Sequence, residues 1–170
     1  HSIRRPYLLY LGTLQPRKNL VRVVEAFATS DLHNDGYSLV LAGKAGWLAD
    51  PLLATVRDLS SGVRRQIALP GYIPDADKAA LLSGATALVF PSLHEGFGFP
   101  VLEAQACGTP VICSSTSSLP EVAGEGALLV DPLDTGVLAA TMRRLAGDEK
   151  LRAELVENGY VNYRRFTWAN

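Results

Sequence analysis

Cysteine, lysine and net charge are all in short supply, and each shortage closes off a class of function. Cys107 and Cys113 form no ligand-spaced pair; one falls in a predicted helix and the other in a predicted strand, and they read as two buried free thiols suited to a reducing cytoplasm. A net charge of −1 over 170 residues argues against nucleic acid or a strongly anionic membrane as the main partner. No apolar run approaches the ~18 residues of a membrane span. No signal-peptide pattern opens the chain, and no repeat, low-complexity tract or linker interrupts it. Metal-ligand spacing is missing as well, so neither a metal nor a cofactor is expected. Only four of the 16 basic residues are lysines, so each lysine merits scrutiny.

What is present is the composition of a soluble globular protein, 48% hydrophobic and 19% charged, at a length suited to one domain. Short apolar runs predict buried strands at Tyr7-Leu11, Ser38-Ala42, Gln66-Leu69, Ala87-Phe90, Val111-Ser114 and Gly126-Val130. Helical periodicity predicts helices over about Leu20-Ser30, Pro51-Ser60 with Leu53, Val56 and Leu59 inward, and Asp75-Ser83 with Asp75 as N-cap. Further helices are predicted over about Pro100-Cys107, Leu119-Ala123, from Asp134 or Thr135 to about Ala146 with Val137, Leu138, Met142 and Leu145 inward, and Glu149-Tyr163. Six alternations with short connections imply an α/β, doubly wound, Rossmann-like parallel sheet of six strands with helices on both faces.

The stretch from Ser92 to Pro110 organises the rest. A buried strand passes through a loop carrying Gly96 and Gly98 into a helix with proline at its start, a geometry that offers free N–H groups to an anion. Glu95 and Glu103 bracket that loop; carboxylates suit sugar hydroxyls better than phosphate, so the pair points to a nucleotide sugar. Arg17 and Lys18 follow the first strand at a helix start, where positive charge opposes the helix dipole unless an anion compensates it. Solvated loop charges are the plainer alternative. Lys44 follows the second strand in the equivalent place and is expected to face the same crevice as Lys18. Gly71-Tyr72-Ile73 follows the third strand, where the backbone can meet a base edge or simply turn. Gly12, Lys18, Lys44, Gly71, Ser92, Glu95 and Glu103 all fall at strand carboxyl ends, where ligands bind in such sheets.

Assembled, these residues make the chain resemble the C-terminal, nucleotide-sugar-binding half of a retaining GT-B glycosyltransferase of family 4, the glycosyl transferases of group 1. Similarity runs from Tyr7-Leu8-Leu9-Tyr10-Leu11-Gly12 to Arg165-Phe166-Thr167-Trp168. Its most specific part is the E-x7-E pair set in Pro91-Ser92-Leu93-His94-Glu95-Gly96-Phe97-Gly98-Phe99-Pro100. The resemblance implies that Glu95 holds hydroxyls of the transferred sugar, helped by amides near Gly96, Phe97 and Gly98. It implies that Glu103 accepts from the ribose hydroxyls, and that the diphosphate lies over the amides near Val101 and Leu102 with Lys18 adding charge. Gly71, Tyr72 and Ile73 would lie against the base. Glu95 and Lys18 would be the catalytic residues of a metal-independent hexosyl transfer. Many members carry an arginine where this chain has Thr13, and Arg17 is the expected replacement. His94 reads as a loop residue.

The same resemblance implies a donor linked through GDP or UDP, with a lean to mannose from the Gly12-Asn19 loop, and a glycan or lipid-linked acceptor. That acceptor would bind an N-terminal domain absent from this chain. The start at His1-Ser2, without methionine, and the end at Asn170 are read accordingly as an excised donor domain of 170 residues, inactive alone. The full protein would be cytoplasmic, with any membrane association made through the missing domain. A non-catalytic nucleotide-sugar-binding or regulatory module is the alternative function. A glycoside hydrolase also uses two carboxylates, but a glycine-rich helix start suits phosphate better than water. Receiver and dinucleotide-binding readings fail at Gly12-Thr13, which offers neither an acidic cluster nor G-x-G-x-x-G.

Overall fold

The structure, a computed structural model, describes residues 3–166; Thr167 and Trp168 of the resemblance lie outside them. Six strands, β1 (Tyr7–Leu11), β2 (Ser38–Ala42), β3 (Ile67–Gly71), β4 (Ala87–Phe90), β5 (Val111–Ser114) and β6 (Ala127–Val130), form one parallel sheet in the order β3-β2-β1-β4-β5-β6. Eight α-helices among the described residues connect and follow them: α1 (Leu20–Thr29), α2 (Asp50–Asp58), α3 (Ser61–Arg64), α4 (Asp75–Ser83), α5 (Phe99–Ala106), α6 (Leu119–Ala123), α7 (Thr135–Gly147) and α8 (Glu149–Tyr163). The helices cover both faces, as right-handed crossovers require. The chain winds outward from β1 to β3, returns, and winds the other way from β4 to β6. Its direction therefore reverses between β1 and β4, and a crevice opens there at the carboxyl ends.

Burial explains the strand assignments. Every residue of β1, β2, β4 and β5 is buried, so these strands read as continuous apolar runs rather than alternating ones. Edge strands β3 and β6 are only partly buried. Edge position also lets β3 run through Pro70 to Gly71, beyond the predicted end at Leu69, since a proline costs no central ladder bond there. Tyr10 and Phe90 stack across the β1–β4 junction at 5.9 Å between ring centroids. Asp134 and Asp148 cap α7 and α8, accepting from Val137 N at 2.8 Å and Leu151 N at 2.9 Å.

Several local expectations are corrected. Leu53 and Val137 are exposed, because Leu52 with Val56 and Leu138 with Met142 and Leu145 set the inward stripes, and each misplaced residue lies one position, about 100°, off its stripe. Asp75 is the first residue of α4 rather than its cap, which is Pro74; its carboxylate pairs with Lys78 instead. Pro100 is the second residue of α5, after Phe99. Helix α3 has no counterpart in the predicted elements. Cys113 is buried, but Cys107 at the end of α5 is only half-buried; both are free thiols. Burial pushes the Cys113 thiol up to about 12 and also raises Cys107, where Glu103 adds to the effect.

A buried polar knot ties α8 to α5. Asn162 Nδ2 donates to Gln105 Oε1 and to Val122 O, both at 2.8 Å, and Gln105 Nε2 donates to Ala123 O at 2.8 Å. A side chain on Gly126 would stand 2.6 Å from Gly159 Cα, so two backbones meet here directly.

Gly43, just past β2, has φ +149°, and a Cβ there would lie 1.8 Å from Gly12 O. Backbone strain and this clash together predict that Gly43→Ala costs about 3 kcal/mol in urea unfolding. Gly147→Ala, which meets nothing within 4 Å, should change stability little.

Candidate functional site

Five loops meet at the carboxyl edge of the sheet. The loop after β1 is laid against the loop after β2: Leu14 N donates to Lys44 O and Gly46 N to Leu14 O, each at 2.9 Å. A 3-10 turn, Pro16–Lys18, then ends on Asn19 in the left-handed region, φ 63°. The Asn19 amide donates to Pro91 O at 3.1 Å and to Pro132 O at 2.7 Å, fixing the start of α1 to the end of β4. Lys18 is thereby placed over the β1–β4 junction, its Nζ 4.8 Å from the Phe90 ring centroid.

Glu95 receives both cations. Lys18 Nζ reaches its Oε1 at 2.5 Å and Arg17 Nη1 its Oε2 at 2.8 Å. Arg17 also donates to His94 O at 2.7 Å, so it braces the loop as well as the carboxylate. Glu95 is 8% exposed and Lys18 equally buried. Burial pushes the Glu95 pKa up, but the Lys18 hydrogen bond, the nearby Ser92 hydroxyl and Arg17 outweigh it and hold the carboxyl below its usual range. The Ser92 hydroxyl is buried and makes no hydrogen bond of good geometry, so its effect on Glu95 is that of a close dipole.

The glycine loop is pinned from the side that follows β5. Ser117 Oγ accepts from Glu95 N at 3.1 Å and donates to Glu95 O at 2.5 Å; Ser118 Oγ lies 2.7 Å from Phe97 O. The amides of Gly96, Phe97, Gly98 and Phe99 have no protein acceptor among the described residues. Gly98 itself, φ +121°, leaves 2.6 Å between a notional Cβ and Leu119, which is why the loop can press against α6.

Glu103 lies apart from this cluster. It is exposed in the second turn of α5 and lines a cavity of about 330 Å³ with Gly12, Thr13, Lys44, Tyr72 and Lys78. Lys44 stands 4.8 Å from the Tyr72 ring centroid. Lys44 lines this cavity and Lys18 does not. Lys18 is buried and held by Glu95, whereas Lys44 is exposed and drawn to the Tyr72 ring.

The remaining expected residues fall as follows. Val101 N already donates to Gly98 O at 2.9 Å, so the expected free amide at Val101 is engaged within the first turn. Leu102, one residue on, is half-buried in that helix. Ile73 is 2% exposed and belongs to the core, and it also lines the cavity beside Tyr72. Arg17 does supply charge beside Lys18, but through Glu95 rather than from the Thr13 position. Sequence reasoning missed Ser117 and Ser118, whose signal was no more than a polar loop after a strand, and Lys78, which reaches the cavity only because α4 packs beside Tyr72. Among the described residues, no three His, Cys, Asp or Glu side chains group as a metal site would require. No helix there is long and apolar enough to cross a membrane.

Depression of the Glu95 pKa has a definite sign. A carboxyl with a lowered folded pKa adds stability that is present above its unfolded pKa and is lost as pH falls through the folded one. Chemical unfolding of wild type and Glu95→Gln should show wild type ahead at pH 7, with the gap closing below pH ~4. A constant gap would mean that the Glu95 charge is not what the pairs stabilise.

Comparison with known proteins shows the family. Residues 2–162 match the family model described as glycosyl transferases group 1. The chain is 38% identical over 166 residues to the O-antigen chain mannosyltransferase B of Escherichia coli, covering 96% of this chain and 43% of that protein. This chain thus spans less than half the length of that relative. Among solved structures, the C-terminal domain of a group 1 glycosyl transferase from Francisella tularensis superposes with a TM-score of 0.81 at 25% identity, covering 95% of this chain and 85% of that one. Sucrose-phosphate synthase from Thermosynechococcus elongatus superposes at 0.84 with 28% identity, over 99% of this chain and 43% of that one.

Proposed function

The chain belongs to the glycosyl transferases of group 1, and from that premise we propose that it is the donor-binding domain of a retaining, metal-independent hexosyltransferase. It would move a hexose, mannose by preference, from a GDP- or UDP-linked donor to a glycan or lipid-linked acceptor held by an N-terminal domain. The observation that carries this reading is the division of the crevice. Glu95, Lys18 and Arg17 form one ion-paired cluster and Glu103 lines a cavity apart from it, with the free amides of Gly96 to Phe99 in the stretch of chain between the two glutamates. That order matches sugar, diphosphate and ribose in turn. Support for the mannosyl lean comes from the name of the E. coli relative, and support for a C-terminal position from the F. tularensis domain.

In this reading the sugar–phosphate bond breaks with its electron pair leaving on the diphosphate. Lys18, Arg17 and the loop amides offset that charge, and they are fixed before the donor arrives, so little reorganisation is needed. Glu95 does two things at once. It holds the two cations in place, and the lone pairs left on its oxygens accept from hydroxyls of the transferred sugar. Glu103, exposed on the cavity wall, accepts from the ribose. The isolated chain binds donor and transfers little.

Calorimetry tests the division. Glu103→Ala should weaken nucleoside diphosphate binding by roughly 1.5–3 kcal/mol, the range for a hydrogen bond to a charged group, without loss of fold. Glu95→Gln should weaken the sugar-bearing donor clearly more than the free nucleoside diphosphate. Equal losses for both ligands in Glu95→Gln would sink the assignment.

A further inference from the structure

The loop that carries Glu95 is pinned by hydroxyls from the end of β5 and the loop after it. Ser114 Oγ donates to Ser92 O at 2.7 Å, Ser117 Oγ to Glu95 O at 2.5 Å and Ser118 Oγ to Phe97 O at 2.7 Å. Arg17 takes the carbonyl of His94, at 2.7 Å. Ser117 is the strained member of that set. Its φ of 61° lies in the left-handed region, which serine, unlike glycine, asparagine or aspartate, seldom enters. Three contacts of its hydroxyl keep it there: Glu95 O, Glu95 N at 3.1 Å and His94 Nδ1 at 3.3 Å. The His94 ring has no role in the transfer as described above.

Proton counting decides what the contact with His94 is. A serine hydroxyl carries one proton and two lone pairs. A carbonyl oxygen only accepts, so the 2.5 Å approach of Ser117 Oγ to Glu95 O must contain the hydroxyl proton. The Glu95 amide occupies one lone pair, which leaves the other for His94. His94 Nδ1 must then carry a proton of its own. A ring protonated at Nε2 alone would set two lone pairs against each other.

We infer that His94 is a positioning residue: as the Nδ1–H tautomer it donates to Ser117 Oγ, and through Ser117 it fixes the backbone from which Glu95 meets the transferred sugar. This rests on the reading of Glu95 as the sugar residue. His94 is exposed, so its replacement leaves the core intact. Two measurements test the inference. Long-range proton–nitrogen correlation NMR at pH ~8.5, where an ordinary imidazole is neutral, reads which ring nitrogen bears the proton; signals lost in His94→Asn identify those of His94. Nδ1 is the expected site, and protonation at Nε2 overturns the inference whatever the donor does. Calorimetry then compares GDP-mannose with GDP, or UDP-glucose with UDP, whichever pair binds more tightly. His94→Phe should weaken the sugar-bearing donor about three- to tenfold more than the free diphosphate, and His94→Asn, whose amide N–H replaces Nδ1–H, should restore it to within about twofold. In a Ser117→Ala background, His94→Phe should have no further effect. A loss of the same size there would mean direct contact of His94 with the donor; that result, or no loss in His94→Phe alone, or no recovery with asparagine, overturns the role. If Glu95→Gln does not separate donor from diphosphate, the reading of Glu95 falls and this role with it, while the tautomer result stands.

Discussion

A carboxylate buried at the end of a parallel sheet must be paid for by cations, and Glu95 imposes that condition on everything around it. It stays ionised because Lys18 and Arg17 both reach it, and they reach it because the chain turns sharply through Asn19 before entering α1. The Asn19 side chain, bonded to carbonyls after β4 and after β6, stops that turn from drifting. Ser117 and Ser118 hold the Glu95 backbone from the opposite side. One ionised group thus sets the positions of the loops after β1, β4 and β5.

Sheet order supplies the rest of the geometry. Because the winding reverses between β1 and β4, the two halves of the crevice come from different directions of the chain, and Gly12 faces the middle. Close passage of the backbone at Gly43 against Gly12 keeps the crevice floor flat, since any side chain there would stand between the loops. Two glutamates with seven residues between them consequently stand in different surroundings. Glu95 sits in the loop, and Glu103 sits a helical turn and more beyond it on α5.

Much of this was legible in the sequence, for physical reasons. Strands buried on both faces appear as unbroken apolar runs, and every one of the six was recognisable, with ends differing by a residue or two at β3 and β6. The loop from Ser92 to Phe99 announced itself through its glycines and its glutamates. What escaped depends on rotation and on distance. Leu53 and Val137 differ from their inward neighbours by a single step around a helix, which a short apolar pattern cannot resolve. Lys18 and Lys44 occupy equivalent places after parallel strands, but one lies over Phe90 and the other at Tyr72, a choice made by tertiary neighbours. Val101 looked free because a helix start normally leaves amides open; here a tight first turn closes one. Ser117 and Lys78 act through partners 22 residues away and across an inter-helix gap, and nothing local marks them.

The knot between α5 and α8 has a mechanical side. Gln105 lies two residues from Glu103 on the same short helix, and Asn162 grips it from near the end of α8. Gly126 and Gly159 press backbone to backbone beside that grip, so α8 has no slack in which to slide. A shift of α8 would therefore have to carry α5 with it, and with α5 the Glu103 wall of the cavity.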